Sequence, residues 1–287
     1  MIFMTKNQAR QTILFLAFVM AAGGCAPLQP PSARGPKGSE SIYPIMFTED
    51  SQQREASILA LNQLIQPSGN PETVALHLQP ITATIRSLPS NAARPLELPK
   101  LGTGANMNEE ETRESLRRFI RDSRELIGAD PAKLSLVERV DQPDGSKLAI
   151  YEQRPFRYPI RGNYGKLEIR FTTNRRIVNI FSTCIPQSER IQTALAALNV
   201  RVKSEEAIKQ LRENGIMYTD PRGNASNFKI PAANELNARG LVIYVLPSKS
   251  QLDALEFHLA WEIQPGGPAP IKTVYVDAVN GETIAVE

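Results

Sequence analysis

The hairpin pattern at the carboxyl end of this 287-residue chain constrains its fold more than any other feature. The dipeptide Asn280-Gly281 favours a two-residue hairpin turn, and strand-like segments flank it at residues 272–278 and 283–286. Residues 166–172 alternate apolar and polar side chains, which is typical of an antiparallel sheet with one face in water. The other strand candidates are residues 74–78, 82–88, 134–140, 147–153, 177–183, 241–246 and 255–263.

Helical patterns precede the strands. Residues 109–127 form the clearest helix, in which Asn108 is the cap and Glu111 completes a capping-box pattern. Residues 205–214, capped by Ser204, and residues 51–65 are the other helix candidates. Helices followed by antiparallel strands, twice over, predict an α+β protein of two modules, each an α-helix packed on an antiparallel β-sheet. The buried stripe predicted for the clearest helix is Leu116, Phe119, Ile120, Ser123 and Ile127.

Arginines occupy the outward positions of the same helix. Such a row can bind an anionic lipid or a partner, but it is more often a solvated helix face. Glu114 lies four residues before Arg118, a spacing that supports the solvated face. The row consists of Arg113, Arg117, Arg121 and Arg124.

The first 24 residues have the pattern of a secretory signal peptide. Lys6 and Arg10 precede a short apolar run, and small residues then lead to Cys25. This arrangement resembles the lipobox of bacterial lipoproteins, which implies that Cys25 is lipidated; the alternative is an ordinary signal with a chance cysteine. Residues 25–49, which begin with a stretch rich in Pro, Gly and Ser, are predicted to form a flexible tether.

An acylated Cys25 predicts a protein of the cell envelope that is held by membrane lipid. Ala26 after the cysteine resembles lipoproteins of an outer membrane, so a host with two membranes would place the protein there, facing the periplasm. The formal charge of +3 without a clustered basic face excludes nucleic acid as a partner. Cys184 lies in an apolar strand-like run and is predicted to be buried and inert.

Catalytic motifs are missing from the sequence. The chain has two histidines, His77 and His258, and no H-E-x-x-H, G-x-S-x-G or phosphate-loop motif. We therefore predict no catalytic residue, no metal site and no cofactor. His258 is predicted to lie on the same polar strand face as Glu256 and Glu262. Such a group can bind metal or act as a base, but a solvated strand face is favoured. Asp277 is expected to stabilise the nearby Asn280-Gly281 turn.

Several segments resemble the propeptides of thermolysin-like and fungalysin-like metallopeptidases. Residues 84–88, the segment Y-E-Q-R-P-F-R-Y-P-I-R-G at 151–162 and the hairpin at 166–182 resemble the fungalysin/thermolysin propeptide motif. Residues 257–262 and the closing Y-V-D-A-V-N-G-E, at 275–282, resemble a PepSY module. The resemblance implies a propeptide-like module at residues 50–187 and a PepSY-like module at residues 188–287, with cystatin-like or PepSY-like folds. A zinc protease follows these modules in those families, and its motif is missing here.

A segment of aromatic residues beside prolines is the candidate contact patch for a partner. The alternative is that these side chains pack as a lid over the sheet. A second candidate is a free sheet edge that accepts an extended peptide as an added strand. The patch consists of Phe156, Arg157, Tyr158, Ile160 and Tyr164.

Together these features predict a non-catalytic, lipid-anchored envelope protein. By the resemblance, it binds an exported metallopeptidase and inhibits or chaperones it. The first alternative is a structural or assembly lipoprotein that binds another envelope partner. The second is an enzyme, which requires His258 and a carboxylate to converge in a cleft.

Overall fold

A computed structural model describes residues 43–65, 75–89, 95–220, 222–231, 235–267 and 269–287, which belong to one compact unit. The helices are α1 (Ser51–Ile65), α2 (Glu109–Asp122), α3 (Arg124–Ile127), α4 (Ser188–Ala196) and α5 (Ser204–Asn214). The strands are β1 (Ile45–Thr48), β2 (Leu134–Asp141), β3 (Lys147–Gln153), β4 (Ile160–Arg161), β5 (Lys166–Phe171), β6 (Ile177–Ser182), β7 (Ile216–Thr219), β8 (Ala225–Phe228), β9 (Leu236–Pro247), β10 (Ala254–Pro265), β11 (Val274–Asp277) and β12 (Thr283–Val286). Within the described residues, no helix is both long enough and apolar enough to cross a membrane.

The first sheet consists of four antiparallel strands in the order β2-β3-β5-β6. The period-two alternation predicted for β5 is observed, with Leu167, Ile169 and Phe171 fully buried on the inner face. Strand β2, at one edge of the sheet, has a bulge between Leu136 and Glu138 in its pairing with β3. Bulges make an edge strand a poorer template for added strands.

Helix α2 covers the inner face of the first sheet. Its apolar side chains share one buried cluster with those of β3, β5 and β6, so the predicted stripe is confirmed. Asn108 caps the helix, as predicted, by accepting a hydrogen bond from the Glu111 amide at 2.8 Å. The predicted single helix is interrupted at Ser123, and its continuation α3 ends at Gly128, whose φ of 81° is left-handed.

The capping-box prediction was wrong for the Glu111 side chain. Its carboxylate does not return to the cap but accepts hydrogen bonds from the Gly102 amide and the Arg175 guanidinium, each at 2.9 Å. Both ionic side chains are only 8% exposed. Glu111 therefore fastens the loop before α2 to the hairpin between β5 and β6.

The second sheet has the order β12-β11-β10-β9-β4. Strand β10 pairs with β9 along one edge, and β1 and β11 share its other edge. Strand β4 joins β9 in parallel at Ile243 and Tyr244. Helix α5 covers one face of this sheet, where Ala207 and Leu211 share a buried cluster with Ile263.

The predicted α+β class, with helices packed on antiparallel sheets, is confirmed. The strands predicted at 74–78 and 82–88 were wrong: residue 74 lies outside the described part of the chain, and the two segments meet only at one bridge, Leu78–Ile85. Strand β1 falls at the end of the segment predicted as a tether. Ser204 begins α5 but makes no capping hydrogen bond. The module boundaries stay predictions.

Candidate functional site

The predicted contact patch lines a groove between the two sheets. Residues 156–158 belong to the loop after β3, Ile160 to β4, and Tyr164 to the turn before β5. The groove has a volume of about 470 Å³, which is the size of a cleft for a small ligand or a short peptide segment. Its other lining residues are Val137, Glu152, Gln153, Arg154, Pro159, Arg161, Gly165 and Lys166.

The rings of the patch are packed and accessible at the same time. Phe156, Tyr158 and Tyr164 are half-buried and pack against a core cluster of the second sheet, together with Ile160. Burial raises the pKa of the Tyr164 hydroxyl. The sequence left two predictions open for these side chains, a packed lid and a contact patch. In the structure the side chains form one wall of the groove and keep an exposed edge.

Two glycines with left-handed backbones shape the turn between β4 and β5. Gly162 has φ 87°, and a Cβ atom there would lie 2.6 Å from the carbonyl oxygen of Val245. Gly165 has φ 74°, and a Cβ atom there would lie 2.8 Å from Cδ1 of Ile160. Because only glycine adopts such a backbone without strain and leaves this space free, these positions hold β4 close to its neighbours.

Two glutamines fix the groove from outside the patch. The buried side chain of Gln153 donates to the Ile185 carbonyl at 2.9 Å and accepts from the Ile185 amide at 2.8 Å. The side-chain oxygen of Gln192, on α4, accepts a hydrogen bond from the Arg157 amide at 3.0 Å. Neither residue was predicted from the sequence, although the spacing of Ile191 and Leu195 could have indicated the helix that carries Gln192.

Cationic side chains outnumber carboxylates in the groove. Four cations line it (Arg154, Arg157, Arg161 and Lys166), with one carboxylate, Glu152. Arg154 pairs with Glu152 at 3.1 Å, and Arg161 pairs with Glu262 at 3.0 Å. Within the described residues, neither Arg157 nor Lys166 has an ion-pair partner; the Arg157 guanidinium lies 5.3 Å from the centre of the Tyr158 ring.

The arginine row of α2 differs from the groove because acids neutralise it. Arg117 lies 2.7 Å from Glu114, and Arg121 lies 2.9 Å from Asp122. Arg113 pairs with Glu109 on the same helix, and Arg124, the member of the row that lies on α3, pairs with Glu125. The row is therefore the solvated helix face that the sequence favoured.

A buried polar network surrounds His258, so the prediction of a solvated strand face was wrong. The imidazole is 12% exposed; its Nδ1 lies 2.8 Å from Asp277 Oδ2 and its Nε2 lies 3.3 Å from Glu256 Oε2. The Tyr43 hydroxyl donates to the same Asp277 oxygen at 2.6 Å, and the Tyr43 ring stands edge-on to the imidazole. Tyr43 precedes β1, the strand that was not predicted and that pairs with the edge of β10. This pairing places the Tyr43 ring against the imidazole, where it shields His258 from water.

Asp277 joins the network to the final turn, as expected. Its Oδ1 accepts hydrogen bonds from the amides of Val279 and Asn280 at 2.8 and 3.2 Å. Burial alone would raise the pKa of this carboxyl group, but the hydrogen bonds from His258, Tyr43 and the turn amides outweigh burial and lower it. His258 and its carboxylates converge, yet none of them lines the groove.

The two cysteines differ in what the structure describes. Cys184 is fully buried, so the prediction of a buried thiol is confirmed, and burial raises the pKa of the thiol to about 12. Cys25, the predicted lipidation site, lies outside the described residues. In the part of the chain that the structure describes, no three His, Cys, Asp or Glu side chains are grouped as metal ligands.

The comparisons with known proteins find similarity among solved structures but none among families or curated proteins. No protein-family model and no curated protein matches the chain. The C-terminal domain of YpeB from Bacillus megaterium is similar in structure, with a TM-score of 0.31 and 10% sequence identity, over 84% of this chain and 98% of that one. The α+β class follows from the strands and helices of this chain itself.

Proposed function

We propose that this protein is a non-catalytic binding protein of the cell envelope, anchored through an acylated Cys25. It binds an exported metallopeptidase, of which one segment lies in the groove. Bound in this way, the peptidase is inhibited or chaperoned. The single observation that carries the proposal is the groove itself, in which half-buried rings lie beside two cations that have no carboxylate partner among the residues the structure describes.

Binding surfaces favour this composition. Tyrosine and arginine are enriched at the points that contribute most to protein–protein affinity, because each combines apolar area with a polar end. The identity of the partner comes from the sequence resemblance to metallopeptidase propeptides. The lipid anchor comes from the lipobox-like segment before Cys25.

The test uses the full chain, expressed in a bacterium and purified from its membranes in detergent. It is mixed with the EDTA-sensitive peptidases that the source bacterium exports, and complexes are separated by size-exclusion chromatography and assayed on casein. We expect a peptidase to elute with the protein and its activity to change. Elution of every such peptidase apart from the protein would refute the proposed partner, and mass spectrometry showing an unmodified Cys25 thiol would refute the anchor.

A further inference from the structure

We infer that the groove recognises an extended acidic peptide segment in which an apolar side chain lies beside carboxylates. The inference deepens the proposed binding function and rests on it, since the segment would belong to a loop or terminus of the bound partner. It concerns the chemistry of recognition, which the resemblance to propeptides does not supply.

The charge of the groove selects an anion. Arg154 and Arg161 each have a carboxylate within 3.1 Å, whereas Arg157 and Lys166 have none in the described part of the chain. An incoming carboxylate can therefore form charge-assisted hydrogen bonds with these two cations without breaking an existing ion pair. The α2 arginines lack this opportunity because neighbouring acids already neutralise them.

The rings supply the apolar half of the site. Phe156, Tyr158 and Tyr164 are fixed by packing against the second sheet, so binding orders little that was free before. An aromatic or aliphatic side chain of the peptide would bury apolar area against them, which favours binding. The apolar anchor and its flanking carboxylates thus match adjacent parts of one groove.

The shape of the groove favours a peptide over a membrane surface. The rings and cations lie in a recess between Val137 on β2 and Arg161 on β4, and the volume of this recess is about 470 Å³. A bilayer presents a broad surface that binds protruding side chains, whereas an extended peptide can enter a recess and place successive side chains on its walls. Anionic headgroups share the carboxylate's charge, so they are included in the test.

The experiment measures fluorescence anisotropy of the full chain with the labelled, end-capped hexapeptide Asp-Glu-Phe-Leu-Glu-Asp. The control peptide is Asn-Gln-Phe-Leu-Gln-Asn, and the lipid probe is a phosphatidylglycerol vesicle followed by co-sedimentation. The variant Arg157→Ala/Lys166→Ala removes the two unpaired cations. Arg117→Ala/Arg121→Ala removes the same charge from α2 and is the matched control. Thermal unfolding of both variants confirms that they fold.

We expect the acidic peptide to bind, and we expect the groove variant to bind it about tenfold more weakly, because the variant lacks both cations that can pair with the carboxylates of the peptide. The α2 variant should bind within about twofold of the unchanged protein, since screened charges outside the groove contribute little. Equal binding of the neutral peptide, equal loss in both variants, or binding of vesicles alone would overturn the inference.

Failure of the inference can be distinguished from failure of the proposed function. A peptidase that elutes with the protein while the acidic peptide does not bind leaves the proposed function standing and removes the inference. Peptide binding that depends on Arg157 and Lys166, without any peptidase complex, supports the recognition chemistry and removes the proposed partner.

Discussion

Asp277 has the most connected side chain of the second sheet. It accepts hydrogen bonds from an imidazole, a phenol and two turn amides, and it is almost fully buried. Asp277→Asn replaces one acceptor with a donor that faces Tyr43 and His258. We expect the free energy of unfolding at pH 7 to fall by about 1–3 kcal/mol, the cost of leaving buried polar groups unsatisfied. Guanidinium titration followed by circular dichroism measures it.

The same carboxyl group predicts a dependence on pH. Its pKa is lowered in the folded protein from an ordinary value of 3.8, so its contribution to stability is present above pH 3.8 and is lost as the pH falls through the folded pKa. Between pH 5 and pH 3 the Tm of the unchanged protein should therefore fall more steeply than that of Asp277→Asn. Parallel slopes would show that the network does not lower this pKa.

Gly162 tests whether close approach of β4 to β9 shapes the groove. Gly162→Ala places a methyl group against the Val245 carbonyl and also strains a left-handed backbone. Gly145→Ala is the matched control because φ is 79° there and no atom lies within 4 Å of the new methyl group. We expect the control to lose about 1 kcal/mol and Gly162→Ala to lose roughly 1–3 kcal/mol more, measured by guanidinium titration. Equal losses would contradict the close approach.

At the scale of elements, the Glu111–Arg175 pair fastens the loop at residues 101–105. Glu111→Ala leaves the buried Arg175 guanidinium without its counter-charge, which is among the more destabilising changes a protein can receive. Glu110→Ala, at an exposed neighbouring position, is the control. We expect Glu111→Ala to lower the Tm by several degrees more than the control and to increase proteolysis within residues 99–107. Equal Tm values would show that the loop does not depend on the pair.

Elements defined by local signals were predictable from the sequence. Asn108 marks the start of helix α2, and apolar spacing marks its buried face. The Asn280-Gly281 dipeptide marks the final hairpin, but the prediction of a two-residue turn was wrong, because residues 278–282 separate β11 from β12. Strands β1 and β4 were not predictable, since each is short and forms only because a distant strand offers an edge.

The same limit applies to the sites. The patch residues could be named because aromatic and cationic side chains cluster in one short segment. The cover over His258 could not be predicted, because Tyr43 and Asp277 lie 234 residues apart in the sequence. Gln153 was missed because its partner, Ile185, lies 32 residues further along the chain, beyond β4, β5 and β6.

In the whole molecule, residues of both sheets line the groove. Strand β4 follows the first sheet's β3 in the chain but pairs with β9 of the second sheet. The side chain of Gln153, on β3, makes hydrogen bonds with Ile185, which packs in one cluster with Ile243 and Val245 of β9. These contacts predict that the sheets unfold together. Fluorescence of Trp261, the single tryptophan, reports on the second sheet, and far-ultraviolet circular dichroism reports on both. The two transitions in guanidinium should coincide. Separate midpoints would show that the sheets unfold independently.

The central claim is that the protein acts by surface contact through its groove. The proposed complex with an exported metallopeptidase is tested by its dissociation constant, determined for the unchanged chain, for Arg157→Ala/Lys166→Ala and for Arg117→Ala/Arg121→Ala. We expect about tenfold weaker binding for the groove variant and no more than about a twofold change for the α2 variant. Unchanged affinity of the groove variant would contradict it.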